Sequence, residues 1–280
     1  MTQTAPTPAT PIGSADLVGR RYRDPDLTSL AHRTPTIDQQ LAHRSVREFL
    51  DAPVTDAQLT SIVAAAQSAS TSSNLQAWSV IAVRDADRRS RLAALAGDQR
   101  FLRCAPLVLV WLADLGRAAR LAAEHRTQLG ATDYLETTIL GFVDASLAAQ
   151  NAALAAESLG LGTVFVGAFR NRPAEVAAEL GLPDHVFATF GLAVGVPDPA
   201  ESAGIKPRLP QEVVLHRETY DPARDSAIAD YDVRLRGYNT EHGRDADWTT
   251  PVLARLADRH SLKGRDQLRR HLEERGLPSR

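Results

Sequence analysis

The chain has 280 residues, and its 32 Lys+Arg against 34 Asp+Glu leave a formal net charge of -2. This balance excludes the basic surplus typical of nucleic-acid-binding proteins, and no run of about 18 unbroken apolar residues predicts a membrane span. The single cysteine, Cys104, excludes an intramolecular disulfide or a thiolate zinc site and favours a reducing, cytoplasmic location.

Residues 1–35 begin with a Thr/Pro/Ala-rich stretch that lacks the basic and apolar regions of a secretory signal. We expect a disordered arm here, with at most one short helix among residues 17–36. The folded domain is expected to span 36–280 and to include a helical C-terminal excursion.

The first half of this domain alternates predicted helices and strands. A helix is expected from Thr36 or Asp38 to about Arg44. The capping-box spacing of Thr55 and Gln58 predicts a second helix that ends near residue 68. The remaining predicted elements of this half are a strand at 78–83, a helix at 85–96 and a strand at 107–114.

A long Ala-rich helix dominates the second half. It is predicted over about 133–159, because apolar residues recur near the helical period and alanine favours helix. Gly160 and Gly162 end it. These elements predict an α/β to α+β fold with about four strands and a helical majority; the family resemblance described below favours α+β. The other predicted elements of this half are strands at 163–169 and 187–196 and helices at 173–180, 227–236, 251–260 and 265–274.

The stretch GLGTVF (160–165) has glycines spaced like a dinucleotide-binding fingerprint, but its context differs. Rossmann glycines follow a strand and open a helix, whereas these end a helix and open a strand. The sequence also contains no P-loop, HExxH or GxSxG motif, and no two histidines are four residues apart. Neither a metal site nor a catalytic nucleophile is therefore predicted.

Three polar segments carry the remaining chemical signal. HRSVREF (43–49) concentrates cationic and hydroxyl side chains that would suit a phosphate, although a basic last helical turn beside the helix dipole has the same pattern. Lys206 and Arg208 lie in IKPRLP (205–210), where two prolines stiffen the backbone, and a solvated loop is the alternative. STSSNLQ (70–76) is a hydroxyl-rich turn, which turn chemistry alone also explains.

These segments, in this order and at these spacings, resemble the FMN-dependent nitroreductase superfamily, in particular its oxygen-insensitive NADPH nitroreductase and flavin reductase branch. The resemblance runs from about Thr36 to Tyr231. Each motif alone is weak, but the ordered series is specific. It also includes PVTDAQL (53–59), the stretch 144–171, LGLPDHVFATFGLAVGVP (180–197) and the ETYD segment at Tyr220.

The resemblance implies a central, mostly antiparallel sheet flanked by helices, in two interlocked subunits of a homodimer that build two FMN sites at their interface. The residues that it assigns to FMN are His43, Arg44, Ser45 and Arg47, with Lys206 and Arg208, at the phosphate and nearby ring edge; Thr71, Ser72, Ser73 and Gln99 at the pyrimidine side; and Phe165, Val166, Gly167 and Ala168 beside the flavin.

The implied activity is reduction of nitro compounds, quinones or related small-molecule acceptors by a ping-pong cycle, in which hydride passes from NAD(P)H through flavin N5. Because the flavin carries this chemistry, no catalytic side chain is required, and nearby cationic or N–H donors stabilise the reduced state. Two alternatives stay open. One is a flavin reductase that supplies reduced flavin to a partner monooxygenase, and the other is a specialised flavin-binding protein with narrow or no turnover.

The resemblance also implies where the substrates bind. Ser73 and Asn74 would line the acceptor pocket, and Asn74 makes it more polar than the aromatic residue that this branch often carries there. NADPH is the expected reductant, with NADH as the alternative. Its 2′-phosphate would bind in a mobile loop at about 236–248, where His242 replaces the first expected arginine and Arg244 lies two residues later.

Overall fold

The computed structural model describes residues 16–280, so residues 1–15 of the predicted arm lie outside the described part of the chain. Helices and four strands make up most of this part. In chain order they are α1 (Leu17–Tyr22), α2 (Pro35–Ala42), α3 (Asp56–Gln67), β1 (Trp78–Val83), α4 (Ala86–Leu95), α5 (Arg100–Cys104), β2 (Leu107–Asp114), α6 (Gly116–Glu124), α7 (Leu135–Ser158), β3 (Gly162–Val166), α8 (Pro173–Leu180), β4 (Val186–Gly195), α9 (Gln211–Val214), α10 (Ile228–Glu241), α11 (Thr249–Leu256) and α12 (Leu268–Glu274).

The strands form one antiparallel sheet in the order β1-β2-β4-β3, which confirms the predicted mostly antiparallel sheet. All eight residues of β2 are buried, as expected for a continuous apolar run in a central strand. The bounds of β1 and β2 agree with the prediction. The predicted strand 163–169 is wrong beyond Val166, because a 3-10 turn (Gly167–Arg170) begins there.

The described chain divides into two compact units. The first contains the residues up to Arg44 together with Ser202–Leu262, and the second contains Ser45–Glu201 and Lys263–Arg280. The prediction of a single domain over 36–280 did not anticipate this division. The sheet and most of the core lie in the second unit.

In the second unit, α7 packs its alanine-rich face against α3 and the sheet. Ala148 and Ala152 are fully buried together with Ile62 of α3. Small residues allow a close approach, since a Cβ added to Gly141 would lie 3.0 Å from the Ala113 Cβ. By length and composition alone α7 could cross a membrane, but nine of its residues are buried in this unit, where it serves as a core helix.

In the first unit, α1 belongs to a small core of its own. Leu17 and Val18 are buried with Leu41 of α2 and with Ile205. The prediction of a disordered arm up to residue 35 is therefore wrong for this described part, although a short helix was allowed there. Helix α1 has only six residues and no side-chain N-cap, so the sequence gives little local signal for it. Isolated short helices are marginal and depend on tertiary packing.

Candidate functional site

The HRSVREF segment begins where α2 ends, with His43 as the C-cap residue. In the second unit the segment runs beside β3. Ser45 pairs with Thr163, and the Val46 backbone N–H donates to the Thr163 carbonyl at 2.9 Å. A Cβ on Gly162 would lie 2.7 Å from the Val46 side chain. This glycine is therefore needed for close packing of the segment on β3. Such a packing role is consistent with the interpretation that residues 160–165 are not a dinucleotide-binding fingerprint.

The far end of the same segment is also anchored in the second unit. Phe49 pairs with Pro197, and the Leu50 backbone N–H donates to the Val196 carbonyl at 2.9 Å. Between these anchors, the Arg47 backbone N–H donates to Glu201 Oε1 at 2.8 Å. The Arg47 side chain itself is exposed, so its guanidinium lies on an accessible surface where an anion could reach it.

In the first unit, buried Arg21 of α1 joins the two predicted cationic segments. Its guanidinium donates to the Lys206 carbonyl at 2.9 Å and also to the His43 carbonyl. In the opposite direction, the Arg208 backbone N–H donates to the Arg21 carbonyl at 2.9 Å. The structure thus brings His43 together with Lys206 and Arg208, although they are far apart in sequence.

A pocket of about 350 Å³ opens beside Arg208 in the first unit, with Tyr22, Tyr231 and Trp248 among its lining residues. Arg208 is exposed, whereas the buried Tyr231 hydroxyl donates to the Pro207 carbonyl at 3.0 Å. Burial raises the pKa of Tyr231, against the opposing influence of Arg208. Tyr231 therefore stays protonated at neutral pH and fixes the backbone from which Arg208 projects.

The end of β3 presents the predicted ring-binding residues in the second unit. Phe165 is 39% exposed and packs edge-on against Phe190 with centroids 5.6 Å apart. Val166 is buried, and the chain then enters the Gly167–Arg170 turn. Neither Gly167 nor Ala168 has a positive φ, so the backbone accommodates alanine without strain.

The 71–77 loop is organised by a buried carboxylate, Asp144 of α7. Asp144 accepts from the Thr71 hydroxyl at 2.6 Å, from the Ser72 N–H at 3.2 Å and from the Ala77 N–H at 2.9 Å. The Thr71 hydroxyl also accepts from the Gln76 N–H at 2.9 Å. The Thr71 side chain thus has a structural role in the loop, in addition to the predicted flavin contact.

The tip of this loop has an unusual backbone. Ser73, Asn74 and Gln76 have φ values of 47°, 56° and 49°, a left-handed conformation that costs non-glycine residues about 1–2 kcal/mol each. Ser73 and Asn74 are exposed, and their contact with a substrate stays a prediction. Such strain persists only where the surroundings fix the backbone, and Asp144 supplies that constraint.

Gln99 lies in a second turn of the same unit. It is the N-cap residue of α5, and its side-chain amide donates to the Gly97 carbonyl at 3.4 Å. Gly97 has a φ of 76°, and a Cβ there would lie 3.5 Å from Asn171 Nδ2. The Gln99 turn is therefore beside the turn that follows β3. No described contact joins Gln99 to Thr71, Ser72 or Ser73.

The predicted mobile loop at 236–248 is wrong over its first half, because α10 continues to Glu241. His242 is the C-cap residue; its Nδ1 lies 2.8 Å from the Tyr238 carbonyl, and its ring stacks on Tyr238 at 4.2 Å. Arg236 is paired with Asp247 at 2.9 Å. Arg244 is exposed, and its side chain has no hydrogen-bond or ionic partner within residues 16–280.

Sequence comparisons identify the family of this chain. Residues 41–196 match the Nitroreductase family and residues 206–280 match the Nitroreductase family, C-terminal domain. The chain is 37% identical over 248 residues to an NADPH-flavin oxidoreductase of Vibrio harveyi, covering 88% of this chain and 99% of the relative. It is 42% identical over 210 residues to an oxygen-insensitive NADPH nitroreductase of Salmonella typhimurium, covering 75% and 85%.

Solved structures with a similar fold include an oxidoreductase. NfrA2 of B. megaterium has a TM-score of 0.82 at 38% identity, covering 88% of this chain and 98% of that one. The Vibrio harveyi NADPH:FMN oxidoreductase complexed with NAD+ has a TM-score of 0.79 at 37% identity, covering 88% and 100%. The fold and the matched segments define an oxidoreductase. The chain belongs to the nitroreductase family, which confirms the resemblance seen in the sequence.

Two residues that organise the candidate site were not predicted from the sequence. Arg21 lies in the segment that was expected to be disordered, and Asp144 lies in the middle of the long apolar helix. A signal for Asp144 was present, because a single carboxylate in an alanine-rich helical face must find hydrogen-bond partners when it is buried. Arg21 had no comparable signal, since its partners are carbonyl groups of distant segments.

Proposed function

We propose that the chain is an FMN-dependent NAD(P)H oxidoreductase that reduces nitro compounds, quinones or related small molecules by a ping-pong cycle. The observation that carries the proposal is the junction at Arg21, which holds the backbones of His43, Lys206 and Arg208 together in one cluster of residues. This cluster has the chemistry of a phosphate site. The names of the relatives, an NADPH-flavin oxidoreductase and an NADPH nitroreductase, support the same activity.

The residues of each unit fit parts of FMN. In the first unit, His43, Arg44, Lys206 and Arg208 suit the phosphate. In the second, Ser45 and Arg47 suit the phosphate and nearby ring edge. Phe165, which is exposed, and the following residues Val166, Gly167 and Ala168 suit the flat ring. Thr71, Ser72, Ser73 and Gln99 suit its pyrimidine side. Bound FMN supplies the two-electron redox chemistry, so these residues need only bind, orient and stabilise it electrostatically.

The absorbance spectrum of the purified protein tests this proposal. We expect a flavin spectrum, or its appearance after incubation with FMN. Arg208→Glu should lose the flavin while far-ultraviolet circular dichroism stays unchanged, because a reversed charge opposes the phosphate directly. Arg217→Glu is the matched control, since Arg217 is an exposed arginine outside the cluster. Stoichiometric FMN in Arg208→Glu would contradict the assignment.

A second candidate is a flavin reductase that hands reduced flavin to a partner monooxygenase. The chain matches 99% of the length of the Vibrio harveyi NADPH-flavin oxidoreductase, which favours this alternative. The two activities differ in their acceptor. NADPH oxidation measured with nitrofuran, with a quinone and with free FMN separates them, because a dedicated flavin reductase should turn over free FMN far faster than the other two.

For the reductant, we propose that Arg244 binds the 2′-phosphate of NADPH, with His242 at the rim of the same segment and NADH as a weaker alternative. A single charge-assisted hydrogen bond contributes roughly 1.5–3 kcal/mol, which corresponds to a preference of about tenfold or more. Arg244→Ala should remove most of this preference in kcat/KM, whereas Arg259→Ala, a change further along the chain, should not. Equal kcat/KM for both cofactors in the unmodified protein would contradict the assignment.

We also propose a cytoplasmic homodimer that uses the outer face of α7. Ile139, Val143 and Leu147 are 43–45% exposed on this face and line an apolar pocket of about 440 Å³. Apolar patches of this kind mark interaction surfaces, and an obligate dimer would bury on the order of 2,000 Å² or more. Sedimentation of an FMN-loaded species of about 30.3 kDa would contradict this proposal.

A further inference from the structure

The segment that carries Arg21 lies outside both regions that match the nitroreductase family, which begin at residues 41 and 206. It nevertheless reaches the cluster proposed to bind the FMN phosphate. Arg21 is only 5% exposed, so its positive charge is held inside the first unit. A buried charge of this kind is costly unless its donors are satisfied, which makes its partners informative.

The described hydrogen bonds of the Arg21 guanidinium go to backbone carbonyls at the two places where the cluster is built. At the end of α2, the guanidinium donates to the Leu41 carbonyl at 2.8 and 3.2 Å and to the His43 carbonyl. Across from it, the same group donates to the Lys206 carbonyl at 2.9 Å. A planar guanidinium can bridge several acceptors in a fixed geometry, whereas an ammonium group acts as a point charge. Arg21 therefore fixes the spacing of the two segments.

The electrostatics at this position gives a second reason for a cation. The C-terminus of a helix carries a partial negative charge, roughly half an elementary charge, from carbonyls that lack intrahelical donors. In this chain the phosphate-binding residues start at the C-cap of α2, His43. Without Arg21, the exposed carbonyls there would repel an anionic phosphate. Donation to Leu41 and His43 turns these carbonyls toward a positive group.

We propose that Arg21 is a positioning residue for the phosphate end of the flavin site. The inference rests on the proposed FMN function. Arg21 sets the spacing of the His43 and Lys206 segments and neutralises the end of α2, so that the cationic side chains can bind the phosphate. It makes no contribution at the flavin ring.

A comparison of FMN with riboflavin tests this role, because riboflavin has the same ring but no phosphate. Dissociation constants are measured by fluorescence titration of the flavin-free full chain. In Arg21→Met, we expect the constant for FMN to rise by roughly tenfold or more, the scale of one charge-assisted hydrogen bond, and the constant for riboflavin to change by less than about threefold. A parallel loss of both ligands, or no loss of FMN affinity, would overturn the proposal.

Two further variants make the test decisive. Arg23→Met is the matched control, because Arg23 lies in the same segment but pairs with Glu241 on the surface, and its FMN affinity should equal that of the unmodified chain. Arg21→Lys keeps the charge without the planar fork and should bind FMN with an intermediate affinity. If Arg21→Met does not fold, Arg21→Lys decides alone, since affinity equal to that of the unmodified chain would overturn the proposal.

The outcomes also separate this inference from the function on which it rests. If the unmodified chain binds neither FMN nor riboflavin, the proposed flavin function fails. If the unmodified chain prefers FMN and the Arg21 variants keep that preference, only the role of Arg21 fails.

Discussion

Replacing Asp144 by alanine should destabilise the second unit more than any single change on its surface. The carboxylate is 1% exposed and accepts three hydrogen bonds at 2.6, 2.9 and 3.2 Å from the 71–77 loop. Alanine removes both acceptor oxygens and with them all three hydrogen bonds. The Ala77 N–H then loses its acceptor while it stays buried, because Ala77 is only 3% exposed.

The size of the effect follows from these contacts. A hydrogen bond to a charged group contributes about 1.5–3 kcal/mol, and a buried donor without a partner costs about 1–3 kcal/mol. Since the three bonds share one carboxylate, their contributions do not add fully, and we expect a total loss of about 3–5 kcal/mol. For a chain of this size, such a loss lowers Tm by on the order of 10 °C. Asp144→Asn should lose less, because its amide retains one acceptor oxygen.

Urea unfolding followed by tryptophan fluorescence measures this loss, since Trp78 starts the strand directly after the loop. Glu136→Gln, an exposed carboxylate on the same helix, is the control and should change stability by less than about 1 kcal/mol. A loss below about 1 kcal/mol in Asp144→Ala would refute the reasoning. It would mean that water or a rearranged loop replaces the carboxylate without cost.

Three further changes give distinct readouts. Tyr231→Phe leaves the Pro207 carbonyl without its donor and should lower the free energy of unfolding by about 1–2 kcal/mol in urea titrations. Although burial opposes it, hydrogen bonds from Thr249 and Trp248 lower the pKa of Asp232. Its stabilisation is full above about pH 4 and is lost as pH falls through the lowered pKa, so Asp232→Asn should destabilise at pH 7 and progressively less as pH falls below about 4. Leu147→Glu should convert a dimer to a monomer in sedimentation, whereas Val233→Glu, 73% exposed on α10, should not.

The strands were predicted well because their signals are local. The run 107–114 is apolar throughout and is buried throughout, so the pattern and the environment agree. β3 was predicted too long, because the apolar residues continue past Val166 into a turn that only the three-dimensional structure reveals. α6 was not predicted at all. Its N-cap position is Leu115, which offers no side-chain cap.

The candidate site likewise contains some residues that local sequence signals predict and others that they do not. The cationic segments were predicted because their charges cluster in sequence, and Asn74 was predicted from the family resemblance; both assignments stay predictions. No local sequence pattern identifies which donor will bind a given backbone carbonyl. Arg21 and Tyr231 both act on carbonyls of other segments, so their roles depend on contacts that form only when distant parts of the chain fold together.

This dependence has a physical basis that concerns every anion site made from loops. Each loop that presents a cationic side chain also presents carbonyl oxygens, which repel the same anion. In the first unit those oxygens have donors: Arg21 donates to His43 and Lys206, and Tyr231 donates to Pro207. If these segments bind the FMN phosphate as proposed, their side-chain charges alone do not determine its affinity. Buried donors that hold the carbonyls away from the anion also contribute, so substitutions at Arg21 or Tyr231 should weaken binding of the phosphate without removing a residue that is proposed to touch it.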